Sequence, residues 1–148
     1  MKKILLMLVV MLGITACGGN GNLTTVNITE ASKALDAEFG SMSVVPKDEL
    51  ESIYQIETNL MEEYVIKASD EANGNLYAII KVTDENKTEV KKQMKNYFEI
   101  LVEQNLAYAP EAVNKLNNYL ETSIGDYLIY ISSEDNQASY NIVKEYTE

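Results

Sequence analysis

Carboxylates are the most plentiful reactive groups in this sequence. Five adjacent pairs stand out: Asp48-Glu49, Glu62-Glu63, Asp70-Glu71, Asp84-Glu85 and Glu134-Asp135. Two carboxylates facing each other across a substrate can hydrolyse a glycoside. A carboxylate-based enzyme acting on a cell-surface glycan or peptide is therefore one reading of the chain. Neighbours in sequence do not by themselves make such a pair. In a strand Glu62 and Glu63 point to opposite faces, and acids at a helix start are favoured by the helix dipole without any function. A solvated acidic surface is the better reading. Calcium wants oxygen ligands, and the run from Asp84 opens like an EF-hand loop. Glu89 stands where that loop needs its glycine, and Lys95 where it needs its last acid. No metal site and no cofactor is expected.

The missing residue types narrow the chemistry further. The 148 residues include no histidine, no arginine and no tryptophan; all twelve cations are lysines, and cysteine occurs once, at Cys17. A Ser-His-Asp triad or a His-ligated metal cannot be built. A Ser-Lys hydrolase needs a serine beside a shielded lysine. Lys67 and Lys81 fall in predicted strands, but no serine motif accompanies them. Lys91, Lys92 and Lys95 form a small basic strip that Glu89 and Glu99 can neutralise at helical spacing. With a net charge of −11 the chain does not suit a nucleic acid, which needs a cationic surface. Ten tyrosines against two phenylalanines are an unusual aromatic set. Tyr64, Tyr77, Tyr127 and Tyr130 lie on predicted strands, with Tyr77 and Tyr130 turned away from Leu76 and Ile131. No catalytic residue emerges, and the chain reads as a non-enzyme with its binding residues unassigned.

The single thiol is the most informative reactive group. Lys2 and Lys3 are followed by an apolar run from Ile4 to Ile14, too short to span a bilayer, which takes about 20 residues, and suited to a signal-peptide core. The run closes Ile14-Thr15-Ala16-Cys17, which resembles the lipobox of bacterial lipoproteins. That resemblance implies recognition of Ile14, Thr15 and Ala16 by a signal peptidase, and acylation of Cys17 by fatty acids such as palmitate. Isoleucine stands where the lipobox usually has leucine. Residues 1–16 read as the signal peptide and 17–27 as the lipidated cysteine with a flexible tether, reaching about 17–19 Å. Cleavage removes Lys2 and Lys3, taking the side-chain charge from −11 to −13. The partner expected is the membrane, held through the lipid at Cys17, with the chain extracytoplasmic. One cysteine permits no disulfide, so the core alone must hold the domain.

The elements that must position these groups follow from periodicity and punctuation. Asn27 and Glu30 are spaced as a cap and its partner. Ala31, Leu35 and Phe39 then recur at helical spacing until Gly40, predicting a helix over 28–39. Pro46 opens a short helix over 46–54. Residues 61–69 and 76–83 alternate around Asn73-Gly74 and predict a hairpin, with Leu76, Ala78, Ile80 and Val82 on one face. Asn86 and Glu89 read as a capping pair for a long helix over 86–104. Its core-facing residues are Val90, Met94, Tyr97, Phe98 and Leu101. Pro110 starts a shorter helix carrying Val113 and Leu116. Residues 119–124 and 127–132 form a second hairpin around Gly125-Asp126. Ser133 caps a closing helix with Ala138, Ile142, Val143 and Tyr146.

The expected fold is α+β: two hairpins forming a mainly antiparallel four-stranded sheet, helices packed on one face, and N-terminal helices ahead of them. It occupies residues 28–148 as a single domain. Three segments together resemble a bacterial lipoprotein family catalogued as domain of unknown function 4358. They are PKDELESIYQI, the hairpin YVIKASDEANGNLYAIIKV, and the helix around TEVKKQMKNYFEILVEQ. The resemblance continues through the Tyr108-Ala109-Pro110 corner, GDYLIYIS and the last helix. It implies an extracytoplasmic lipoprotein domain and carries over no catalytic residue. The expected function is a lipid-anchored, non-enzymatic interaction or accessory domain at the cell envelope.

Overall fold

The structure, a computed structural model, describes residues 24–148. Asn27 caps the first helix, its side chain accepting a hydrogen bond from the Glu30 amide at 3.1 Å. Helix α1 spans Ile28–Phe39 and stops at Gly40, whose φ of +86° is left-handed backbone that glycine tolerates. A short strand, β1, follows at Met42–Val44. Helix α2 covers Lys47–Ser52, directly after Pro46, and a 3-10 turn covers Thr58–Leu60. Strands β2 (Glu63–Ser69) and β3 (Leu76–Lys81) form the first hairpin, and β4 (Leu120–Ile124) and β5 (Tyr127–Ser132) the second. Between the hairpins lie α3 (Asp84–Asn105) and α4 (Pro110–Asn117). Helix α5 (Asn136–Glu145) closes the chain.

Two expected caps differ. Helix α3 starts two residues early, at Asp84, and Asn86 donates its side-chain amide to the Leu60 carbonyl at 3.2 Å instead of capping. At α5 the cap is Asp135, whose carboxylate accepts from the Ala138 amide at 2.9 Å. The Ser133 backbone amide instead donates to the Asn136 side-chain oxygen at 2.8 Å.

The sheet has five strands in the order β1-β2-β3-β5-β4, antiparallel throughout. The two hairpins join through β3 and β5, with Ile79 opposite Ile129. The fifth strand, β1, is three residues long, too short to show alternation in the sequence. Helices cover both faces, not one. Leu76, Ala78, Ile80, Leu128 and Tyr130 pack with Leu50 of α2, with Val90, Met94, Tyr97 and Phe98 of α3, and with Leu116 of α4. On the reverse, Tyr77, Ile79, Ile129 and Ile131 pack with Ala31 and Leu35 of α1 and Val143 of α5. The central strands read LYAIIK and YLIYIS, nearly unbroken apolar runs. Such runs mark strands covered on both sides, where a half-exposed strand would alternate.

The folded domain also begins earlier than Ile28. Thr25 and Glu148 exchange two backbone hydrogen bonds at 2.9 Å, and Val26, only 4% exposed, is part of the core. Residues 24–27, read above as the end of the tether, are thus built into the domain. Thr24 presses on the second hairpin, where a Cβ added to Gly125 would meet its carbonyl oxygen at 2.7 Å. Ile14, Thr15, Ala16, Cys17 and the tether up to residue 23 lie outside the described residues. Among the described residues no helix is long and apolar enough to cross a membrane.

Candidate functional site

A groove of about 900 Å³ lies between α3 and the segment that leads from α2 into the 3-10 turn. Its α3 wall is built by helical spacing. Glu89, Lys92, Asn96 and Glu99 form one stripe, displaced around the helix from the buried stripe of Val90, Met94 and Tyr97. The opposite wall includes Gln55, Glu57 and Asn59. Ile56, fully buried, ties this wall down, and Gln55 makes the bend beside it with a φ of +57°.

Gln93 joins the two walls. It is only 8% exposed. Its side-chain oxygen accepts from the Glu57 amide at 2.8 Å, and its side-chain nitrogen donates to Glu57 Oε1 at 3.0 Å and to Glu89 Oε1 at 3.1 Å. Both of its donors are therefore used. The Thr58 hydroxyl donates to Glu51 at the groove's end.

Sharing one nitrogen brings Glu57 Oε1 and Glu89 Oε1 within about 6 Å of each other. That is close to the separation of a glycosidase pair, but the Gln93 amide fills the space a substrate atom or water would occupy. A general acid working near neutral pH also has to be desolvated. The Glu89 side chain is 47% exposed, and Glu57 is exposed as well. The arrangement offers hydrogen-bonding groups and charge at a solvated surface.

The acidic pairs singled out in the sequence serve local roles. Glu62 pairs with Lys81 at 3.1 Å and raises the lysine's pKa. Glu49 accepts from the Tyr54 hydroxyl at 3.3 Å. Hydroxyls of Ser41 and Ser43 hold the Asp70 carboxyl below its usual range. Asp84 and Glu85 sit in the first turn of α3, so the run that opened like a calcium loop is helix. Glu134 pairs with Lys115 at 2.7 Å. No group of three or more acids or other metal-ligating residues comes together among the described residues. Of the basic strip, Lys92 and Lys95 lie loosely on Glu89 and Glu99 at 3.8 Å, whereas Lys91 reaches across to Glu121 on β4 at 3.0 Å.

The strand tyrosines form no exposed platform. Tyr77 and Tyr130 do point away from Leu76 and Ile131, but into opposite cores, and both are fully buried. Tyr127 is buried and Tyr64 half-buried. Lys67 does approach a serine, through a chain the sequence did not reveal. Lys67 pairs with Asp36, Asp36 accepts from Tyr77 at 2.7 Å, and Tyr77 lies 2.7 Å from the Ser32 hydroxyl. A carboxylate can only accept, so Tyr77 donates to Asp36 and Ser32 donates to Tyr77. Ser32 and Asp36, four apart on α1, were the visible half of this network. Ser32 is 7% exposed and Tyr77 0%, and burial raises the Tyr77 pKa far above its ordinary value. No substrate reaches these hydroxyls, and the network's work is to hold α1 on the sheet.

A family model described as Domain of unknown function (DUF4358) matches residues 34–133, from within α1 to just past β5, the whole groove included. No curated protein and no solved structure matches the chain.

Proposed function

The chain belongs to the DUF4358 family, and on that premise we propose a lipid-anchored, extracytoplasmic binding or accessory domain whose ligand-facing surface is the α2–α3 groove. The lipobox-like Ile14-Thr15-Ala16-Cys17 and the absence of any other thiol from the sequence support the anchor. One observation carries the role of the groove. The first described residues, with Val26 and Ile28, pack in the α1/α5 layer. The groove opens on the opposite layer, where Ile56 and α3 pack. A lipid joined through a short tether thus holds the domain by one layer and leaves the other for a ligand. Anionic lipid headgroups repel an acidic domain, which favours a partner in the envelope over a docked bilayer.

The test uses the thiol inventory. Asn96→Cys puts a thiol in the groove while the lipid blocks Cys17. The expected result is uptake of labelled palmitate at Cys17, with Asn96→Cys modified by a membrane-impermeant maleimide in intact cells. If palmitate fails to label the chain, or the groove thiol reacts only after lysis, the reading is wrong.

The carboxylate-enzyme reading keeps one observation, the approach of Glu57 to Glu89. It requires that Glu57→Gln and Glu89→Gln each abolish hydrolysis of a cell-wall glycan or peptide by the purified lipidated chain. If the wild-type chain hydrolyses neither, that alternative falls.

A further inference from the structure

We propose that the groove receives a short extended stretch of polypeptide carrying lysine, an inference that rests on the groove being the binding face. Three of its side chains, Gln55, Asn59 and Asn96, are exposed amides and make no side-chain hydrogen bond within the described residues. An amide presents a donor and an acceptor together, the complement of a peptide unit. The groove follows α3 from Glu89 to Glu99, about 15 Å at 1.5 Å per residue. That length matches four or five residues of extended chain at about 3.3 Å each.

Other ligand classes fit less well. No aromatic side chain lines the groove, so sugars and bases find no ring to stack on. The sequence has no arginine to clamp a phosphate or carboxylate in two-pronged fashion. Charge favours a cation. Glu89 and Glu99 hold their lysines at 3.8 Å, with the Lys92 and Lys95 side chains 78% and 70% exposed. An incoming ammonium can displace such loose pairs, and the acidic domain steers it in.

The test uses the full lipidated chain in neutral detergent. It is applied to arrays of end-capped pentapeptides containing lysine, glutamate or neither, and to an N-acetylglucosamine tetrasaccharide. Pentapeptides with lysine should be retained. Asn96→Leu, which leaves every charge in place at an exposed site, should weaken retention about tenfold without changing the near-ultraviolet circular dichroism. Retention that Asn96→Leu does not alter means attraction to the acidic surface alone, and overturns the proposal. Retention of the tetrasaccharide but not of peptides overturns the ligand class while leaving the groove as the binding face. Retention of nothing overturns both.

Discussion

Tyr77 on β3 donates its hydroxyl hydrogen to Asp36 on α1 at 2.7 Å, across 41 residues of sequence. The same carboxylate receives Lys67 of β2 through its other oxygen, so one acid on the first helix ties down two neighbouring strands. A buried polar chain of this kind is stable only while every member keeps its partner. Tyr77→Phe leaves the ring in place and removes the link between Ser32 and Asp36. The Ser32 hydroxyl, 7% exposed, then loses its acceptor, and the expected cost is about 1–3 kcal/mol. Urea denaturation should show a lower midpoint with an unchanged slope. A midpoint equal to wild type would mean that α1 is held by apolar packing alone.

Tyr130 presents the opposite case. It is equally buried, but its hydroxyl has no hydrogen-bond partner among the described residues, and it lies beside the stacked rings of Phe98 and Tyr119, whose centroids are 3.8 Å apart. Removing an unsatisfied buried group relieves its desolvation cost. Tyr130→Phe should therefore be neutral or stabilising by up to about 1 kcal/mol, seen as an equal or higher melting temperature. A clear fall in melting temperature would show that the hydroxyl is satisfied in solution.

These buried hydroxyls set an alkaline limit. Burial raises the pKa values of Tyr77, Tyr97 and Tyr130 well above the ordinary tyrosine value of 10.0. The unfolded chain loses these protons near pH 10 while the folded chain keeps them. Stability is therefore intact below pH 10 and falls above it, by up to about 1.4 kcal/mol per pH unit for each tyrosine. Unfolding followed by circular dichroism should coincide with a rise of tyrosinate absorbance for these residues. If the buried tyrosines titrate near pH 10 with the fold intact, they are open to water.

Much of this architecture was legible from residue spacing. Asn27 and Gly40 bracket α1 where cap and stop chemistry place them, and both hairpins follow from alternation around Asn73-Gly74 and Gly125-Asp126. The second helical layer was hidden because alternation picks out only Leu76, Ala78, Ile80 and Val82 as one face of β3 and says nothing of what covers Tyr77 and Ile79 on the other. In the unbroken run LYAIIK they are core as well. The groove was hidden for a different reason. Residues 55–60 have no periodicity, and only the long-range pairing with α3 gives them a shape. One signal was available: Gln93 falls three residues after Val90, a polar side chain at core spacing on an amphipathic helix.

The long helix offers a graded check of that spacing. Phe98 is 2% exposed and inside the core, whereas Leu101, expected there too, is only partly buried beside it. Phe98→Ala should cost about 3–5 kcal/mol and Leu101→Ala less than the 2–5 kcal/mol of a fully buried leucine. Equal costs in denaturant titrations would place Leu101 as deep as Phe98.

Gln93 gives the sharpest prediction about the groove. Its amide nitrogen stands between two carboxylates and donates to both. Gln93→Leu keeps the apolar part of the contact, strips Glu57 and Glu89 of their shared donor, and leaves the Glu57 amide without its acceptor. The expected loss is about 1–3 kcal/mol at neutral pH. Gln93→Glu should be worse there, because a third carboxylate joins two within hydrogen-bonding distance. Crowded carboxylates favour the protonated form, so the folded pKa of the introduced acid rises above its unfolded value. A raised folded pKa adds stability below the unfolded pKa and loses it as pH climbs through the folded one. The Gln93→Glu chain should thus recover toward wild type as pH is lowered from 7 to about 4.5, while Gln93→Leu shows no such recovery. Parallel urea titrations at the two pH values decide the matter. Equal pH dependence in both variants would mean that the two carboxylates are not held against Gln93, and that the groove's walls are joined by Ile56 and its packing instead.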